Sequence, residues 1–174
     1  EALLVMVDLM EETNQFRRAS EIMKQLVQLD PTNADILRDW GKMVLRDPSR
    51  NLEEAKREAS SIWGKSLENR SQDALAHIQV ADLLQAAQIP DEAQKLFERA
   101  IKLAPEESQY REYLGEFLFQ QNRREQAFAV WESIAEGVRR NADSVMRLAE
   151  IYDHAQQFNR AAVLASEACR LAPR

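Results

Sequence analysis

Two consecutive stretches decide the architecture. Residues 74–107 read ALAHIQVADLLQAAQIPDEAQKLFERAIKLAPEE, and residues 108–141 read SQYREYLGEFLFQQNRREQAFAVWESIAEGVRRN. Laid one under the other, Ala81 falls on Gly115, Ala93 on Ala127 and Phe97 on Trp131, each 34 residues apart. The same columns run through the rest of the chain. The alanine column is Ala19, Ala59, Ala93, Ala127 and Ala161, at spacings of 40, 34, 34 and 34. A small column is Val7, Gly41, Ala81, Gly115 and Ala149, preceded by a large one of Met6, Trp40, Val80, Leu114 and Leu148. A second large column is Met23, Trp63, Phe97, Trp131 and Ala165. Self-similarity at such a period is the mark of a repeat architecture. It divides the 174 residues into units 1–33, 34–73, 74–107, 108–141 and 142–174 with no remainder.

Each unit reads as two helices. In the fourth, Tyr110, Tyr113, Leu114, Phe117 and Leu118 follow helical spacing, and Ala127, Phe128, Val130, Trp131 and Ile134 repeat it after a break at 121–124. Two apolar stripes at that period are two amphipathic helices. Asn14 and Asn122 stand in the breaks, where a residue tolerant of left-handed backbone closes a helix. Pro31, Pro105 and Pro173 follow the second helices and block their extension. Strand-like alternation and Asn-Gly turns are absent, so the expected fold class is all-α. Small columns let helices approach, Trp63, Phe97 and Trp131 fill the space between pairs, and no pair can bury its apolar face without neighbours.

These columns resemble the tetratricopeptide repeat. Unit 3 carries Ala81, Ala93, Phe97, Ala100 and Pro105. Unit 4 carries Leu114, Gly115, Leu118, Ala127 and Trp131, with Arg139 where the family pattern has proline. Unit 5 carries Leu148, Ala149, Tyr152, Ala161, Ala168 and Pro173. The resemblance implies a right-handed α-solenoid of five stacked helix-turn-helix repeats forming one repeat domain. Phe97-Glu98-Arg99-Ala100 and Tyr110-Arg111-Glu112-Tyr113 are also similar to the half-a-tetratricopeptide repeats of RNA-processing scaffolds. The regular phase favours the first family.

The family resemblance implies that one stripe of each first helix lines a concave groove. Transferred unit by unit, that stripe opens at Glu1 and carries eleven acidic residues against three basic, from a chain with 29 acidic and 23 basic in all. The whole negative excess therefore falls there. Asp82, Glu112, Glu116 and Glu150 are the expected steering carboxylates. Leu75, Ile78, Phe119 and Met146 are the expected apolar anchors, and Arg38 and Lys42 the local positive charge. A concave wall of one sign concentrates the opposite charge. The implied function is a non-catalytic protein-protein interaction scaffold whose groove takes a basic or amphipathic peptide segment. The alternatives are a structural spacer or self-association module of a larger protein, and an RNA-processing scaffold. A clamp for acidic C-terminal tails is disfavoured, because Asp8 and Asp82 occupy positions where it needs asparagine or a base.

Composition narrows the chemistry. A formal charge of −6 argues against nucleic acid as the partner. Trp131 belongs to the core column, and the Arg123-Arg124 and Arg139-Arg140 pairs fall at turns. No apolar run is long enough to span a membrane. Cys169, the single cysteine, has no partner for an internal disulfide and fits a reducing compartment such as the cytoplasm; its column mates Val27, Ile101 and Ala135 predict an apolar, buried or interface position. His77 and His154 have no ligand at helical spacing, so neither a metal nor another cofactor is expected, and nothing assembles an enzyme site. Six extra residues in unit 2 are assigned to the stretch around 47–51. There Asn51 and Glu54 predict an N-cap, with the second helix starting a turn early and running to about Leu67. The last helix is apolar on most sides, which suggests a piece of a longer repeat protein or a homodimer through the C-terminal helix.

Overall fold

The structure, a computed structural model, describes residues 2–172; Glu1, Pro173 and Arg174 of the sequence reading lie outside the described residues. Among the described residues there are ten α-helices, two 3₁₀ turns and no strand. The helices form pairs: α1 (Ala2–Glu12) with α2 (Phe16–Leu29), α3 (Ala34–Arg46) with α4 (Leu52–Lys65), α5 (Ala74–Ala86) with α6 (Pro90–Leu103), α7 (Ser108–Gln120) with α8 (Arg124–Glu132), and α9 (Ala142–His154) with α10 (Phe158–Leu171). The chain divides after Leu103 into two compact units, the first holding α1 to α6 and the second α7 to α10. Each unit has the all-α, stacked helix-pair architecture expected from the repeat.

Local chemistry sets the helix ends. Asn33, Asn51, Asp73 and Asn141 accept backbone N–H bonds at the starts of α3, α4, α5 and α9, and Ser144 completes a reciprocal box with Asn141. Pro90 opens α6, where its missing N–H costs nothing. Four first helices close on a left-handed residue: Asn14, Gln88, Asn122 and Gln156, with φ of 57°, 58°, 60° and 59°. At each, the following N–H reaches back five residues, as in Gln15 N to Met10 O at 2.7 Å and Ile89 N to Leu84 O at 2.9 Å. This repeated closure returns the chain antiparallel in three residues. Asparagine announces it at two of the turns, and glutamine gives no such signal at the others.

The small and large columns interlock. Trp63 and Trp131 are both buried at 2% exposure. Their indole N–H groups donate to the carbonyls of Arg38 (3.1 Å) and Glu112 (3.3 Å) on the paired first helices. The indoles lie directly over glycine. A Cβ added to Gly41 would sit 2.5 Å from Trp63 Cε2, and one added to Gly115 would sit 2.7 Å from Trp131 Cε2. Where the large column is smaller, the small column grows: Phe97 accompanies Ala81, and Met23 accompanies Val7. Only the fifth pair breaks the exchange, with Ala149 and Ala165.

Two local expectations are corrected. The six extra residues of unit 2 do not lengthen α4, which has 14 residues like α2, α6 and α10. They are shared between the turn 47–51 and the connection 66–73. Asp47 ties the turn by accepting from the Ser49 N–H and hydroxyl and from Arg50, and Arg70 pairs with the α5 cap Asp73 at 2.8 Å. In unit 4 the α-helix stops at Glu132, so Ile134 lies in a 3₁₀ turn, Ser133–Ala135, followed by another, Gly137–Arg139. The Ser133 hydroxyl donates to Val130 O (2.6 Å), and Gly137 takes φ of 57°, which a continuing helix forbids.

The interlock yields a double-mutant test. Gly115→Ala is expected to destabilise the protein by about 1–3 kcal/mol, because the new methyl displaces a packed indole and its hydrogen bond. Gly115→Ala with Trp131→Phe recreates the Ala81–Phe97 combination. It is expected to lose less than the two single changes summed, measured by urea unfolding.

Candidate functional site

In the first unit, Arg38 and Lys42 come from α3 and Leu75, Ile78 and Asp82 from α5. Arg38 is held within its own helix, bonded to Asp35 at 2.6 Å and Asp39 at 2.9 Å. Those partners, with its hydrogen bond to Asp39 the largest cause, hold its pKa above the usual value. Lys42 is exposed and Leu75 is half exposed. Ile78 is corrected: it is 3% exposed and belongs to the core between helices, so it presents no anchor to a groove. Asp82 lines a hollow of about 260 Å³ with Asp35, Arg38, Ser66, Arg70 and Gln79 among its walls. Desolvation by the surrounding atoms raises the Asp82 carboxyl above the ordinary aspartate range.

In the second unit, α7 and α9 form the walls of a cleft of about 450 Å³. Glu112, Tyr113, Glu116 and Phe119 come from α7, and Arg147, Ile151 and His154 from α9, with the edge of Trp131 between them. Phe119 packs 5.5 Å from the Trp131 ring and 6.2 Å from Phe128, which lies 5.4 Å from Tyr152. This aromatic cluster fixes one side of the cleft. Tyr113 and Met146 are each more than a third exposed. Tyr152 is fully buried, donates its hydroxyl to Glu132 at 3.1 Å, and is pushed up to about 12 by burial and by the Glu132 charge.

The sequence reading missed Arg147. Its guanidinium donates to both oxygens of Glu112, at 2.9 and 2.7 Å, and to Glu150 at 2.8 Å. Those bonds hold its pKa above the ordinary arginine range. Two of the four expected steering carboxylates are therefore engaged inside the protein. Glu116, exposed at the rim and bonded by the Gln120 amide at 2.8 Å, keeps its charge toward solvent. Spacing of three residues made the Arg147–Glu150 pair readable; the link to Glu112, 35 residues away, needed the stacking of α9 on α7.

Other candidates settle differently. Cys169 is exposed on α10, and the buried reading is corrected to that extent. His77 is buried with Nδ1 2.8 Å from Asp73 O, a local helix contact. Trp131 is buried in the core, so it offers no face for stacking a base. Among the described residues, no three histidine, cysteine or carboxylate side chains gather to hold a metal, and no helix is long and apolar enough to cross a membrane.

Stacked helix pairs with a small-large interlock and a lined cleft between first helices define a helical-repeat protein of the interaction class. The comparisons specify the repeat. The sequence profile of the tetratricopeptide repeat matches residues 78–137 of the chain, which span α6 and α7 with most of α5 and all of α8. Its fold is shared with a MamA protein, at 15% identity and a TM-score of 0.51 over 97% of this chain and 89% of that one. It is shared also with MamA from Desulfovibrio magneticus RS-1, at 12% identity and a TM-score of 0.50 over 98% and 93%. YrrB, described as a TPR protein with an unusual peptide-binding site, matches at 18% identity and a TM-score of 0.48 over 98% and 85%. No curated protein matches by sequence.

Asp82 stays exposed, yet the atoms around its carboxyl partly desolvate it, and this gives a pH-dependent expectation. Its pKa is higher folded than unfolded, so ionisation costs the folded state at neutral pH, and the cost vanishes as pH falls through the folded value. Asp82→Asn is therefore expected to raise the melting temperature slightly at pH 7. The gain should disappear below the carboxylate range, as followed by circular dichroism against pH.

Proposed function

We propose that this protein is a non-catalytic scaffold whose second unit binds a basic, amphipathic peptide segment in the cleft between α7 and α9. One observation carries the reading: Glu116 keeps an exposed carboxylate beside Tyr113 and Phe119, on a wall made rigid by the Phe119–Phe128–Trp131 cluster. A cationic side chain of the partner pairs with Glu116, and an apolar one lies on Tyr113 and Phe119. Arg147 narrows the choice. It cancels much of the charge of Glu112 and Glu150, so a single well-placed cation is favoured over a continuous basic run. In the first unit, Asp82 and Leu75 offer a weaker version of the same pairing, with Arg38 as an opposing charge. A solenoid that presents side chains from rigid helices spends little entropy on binding, which suits a scaffold. Partner-facing residues are thus Glu116, Tyr113, Phe119, Leu75, Asp82 and Met146, with Glu112 and Glu150 holding Arg147.

The test is fluorescence anisotropy with labelled peptides of alternating leucine and lysine at helical spacing, against glutamate-substituted and scrambled controls. The lysine peptides are expected to bind and to weaken as salt rises. Glu116→Lys is expected to cost about 1–3 kcal/mol, roughly tenfold or more in affinity. Equal binding of lysine and glutamate peptides, or indifference to Glu116→Lys, would overturn the reading.

A further inference from the structure

Two departures from the repeat columns meet in the second unit. Arg139 stands where units 1, 3 and 5 have Pro31, Pro105 and Pro173. Arg111 stands in the column of Leu37, His77 and Val145, which is core, and it is 7% exposed. Its Nη1 donates to Pro105 O at 2.6 Å, and Arg139 Nε donates to Ser133 O at 3.3 Å. Arg140, Arg147 and Arg160 of the same unit each hold a carboxylate, whereas neither Arg111 nor Arg139 has one within ion-pair distance among the described residues. The two charges act on each other instead. Burial first, and then Arg139, hold the Arg111 pKa below the usual arginine value, with Glu106 acting the other way. An incoming anion relieves such a like-charge pair.

The place is open to a ligand. Arg139 lines a hollow of about 500 Å³ with Ser108 and Ser144, from the starts of α7 and α9. Both helices turn the positive ends of their dipoles there. Arg147 lines this hollow and the α7–α9 cleft alike, so the two are neighbours along one seam. Glu116, in the cleft, stands eight residues after Ser108 on α7, which is about 12 Å along the helix. The seam is therefore negative at Glu116, internally paired at Arg147 and positive at Arg139. Glu106 and Asp143 also line the hollow, both exposed. They repel a polyanion and leave a place for a single carboxylate.

We propose that the peptide segment bound at Glu116 carries a carboxylate about 12 Å from its cation, and that this carboxylate seats beside Arg139. The inference rests on the reading of the α7–α9 cleft as a peptide site, and adds to it a second charge at a fixed spacing. On a helical partner the two charges stand on one face, two turns or about seven to eight residues apart.

The experiment is fluorescence anisotropy of the full chain with three labelled, leucine-rich helical peptides, each with one lysine. The first carries a glutamate two turns from the lysine on the same face. The second has the same composition with the glutamate on the opposite face, and the third has alanine in its place. The first is expected to bind about three- to tenfold more tightly than the other two. Arg139→Gln should erase that difference and Arg139→Lys should keep part of it, with circular dichroism showing native helix content in both. A charge role separates the two variants, and a packing role does not. The wild-type comparison decides by itself where a variant misfolds. Glu116→Lys in the same assay reports on the lysine alone. If it weakens all three peptides while the position of the glutamate makes no difference, the second charge is overturned and the cleft reading stands. A difference that survives Arg139→Gln would also overturn the seat at Arg139. Binding by none of the peptides would overturn both.

Discussion

The contact on which the helix pairs depend is an indole lying on a glycine. In the second and fourth pairs, a tryptophan from the second helix crosses the first helix where no Cβ exists, and its N–H takes a carbonyl there. That donation matters because the indole N–H is otherwise a buried polar group without water. Shape and hydrogen bonding thus fix the same distance between helices. The third pair reaches a similar end with alanine and phenylalanine, which has no donor to satisfy. The sum of two facing side chains is held roughly constant, as close packing demands. The fifth pair departs from that sum, and its two alanines leave the hollow that the others fill.

Most of the fold was legible because a repeat presents the same problem five times. A column of five residues separates packing from accident in a way that one helix cannot. Legibility failed where the chain leaves the period. The six extra residues of unit 2 can be counted from spacing, but their division between the turn 47–51 and the connection 66–73 depends on Asp47 and Asp73 bonding their own arginines. The early end of α8 turns on Gly137, whose positive φ is one of several conformations glycine permits. Gln88 and Gln156 close helices without a residue that favours doing so. There the hydrophobic contacts on either side impose the turn.

The candidate site was legible in its residue types and less so in their pairing. Counting carboxylates along first helices treats each as free. Stacking brings neighbouring first helices close enough for Arg147 to bridge Glu112 and Glu150, and for Arg46 to meet Glu11. Such bridges join residues about one repeat apart, beyond the spacing at which helical ion pairs are read. Ile78 shows the complementary error. It lies on the transferred stripe, yet its rotation on α5 turns it inward, one side chain away from exposed Leu75. A stripe carried over by analogy is accurate to about one residue in rotation, and at a groove edge one residue separates core from surface.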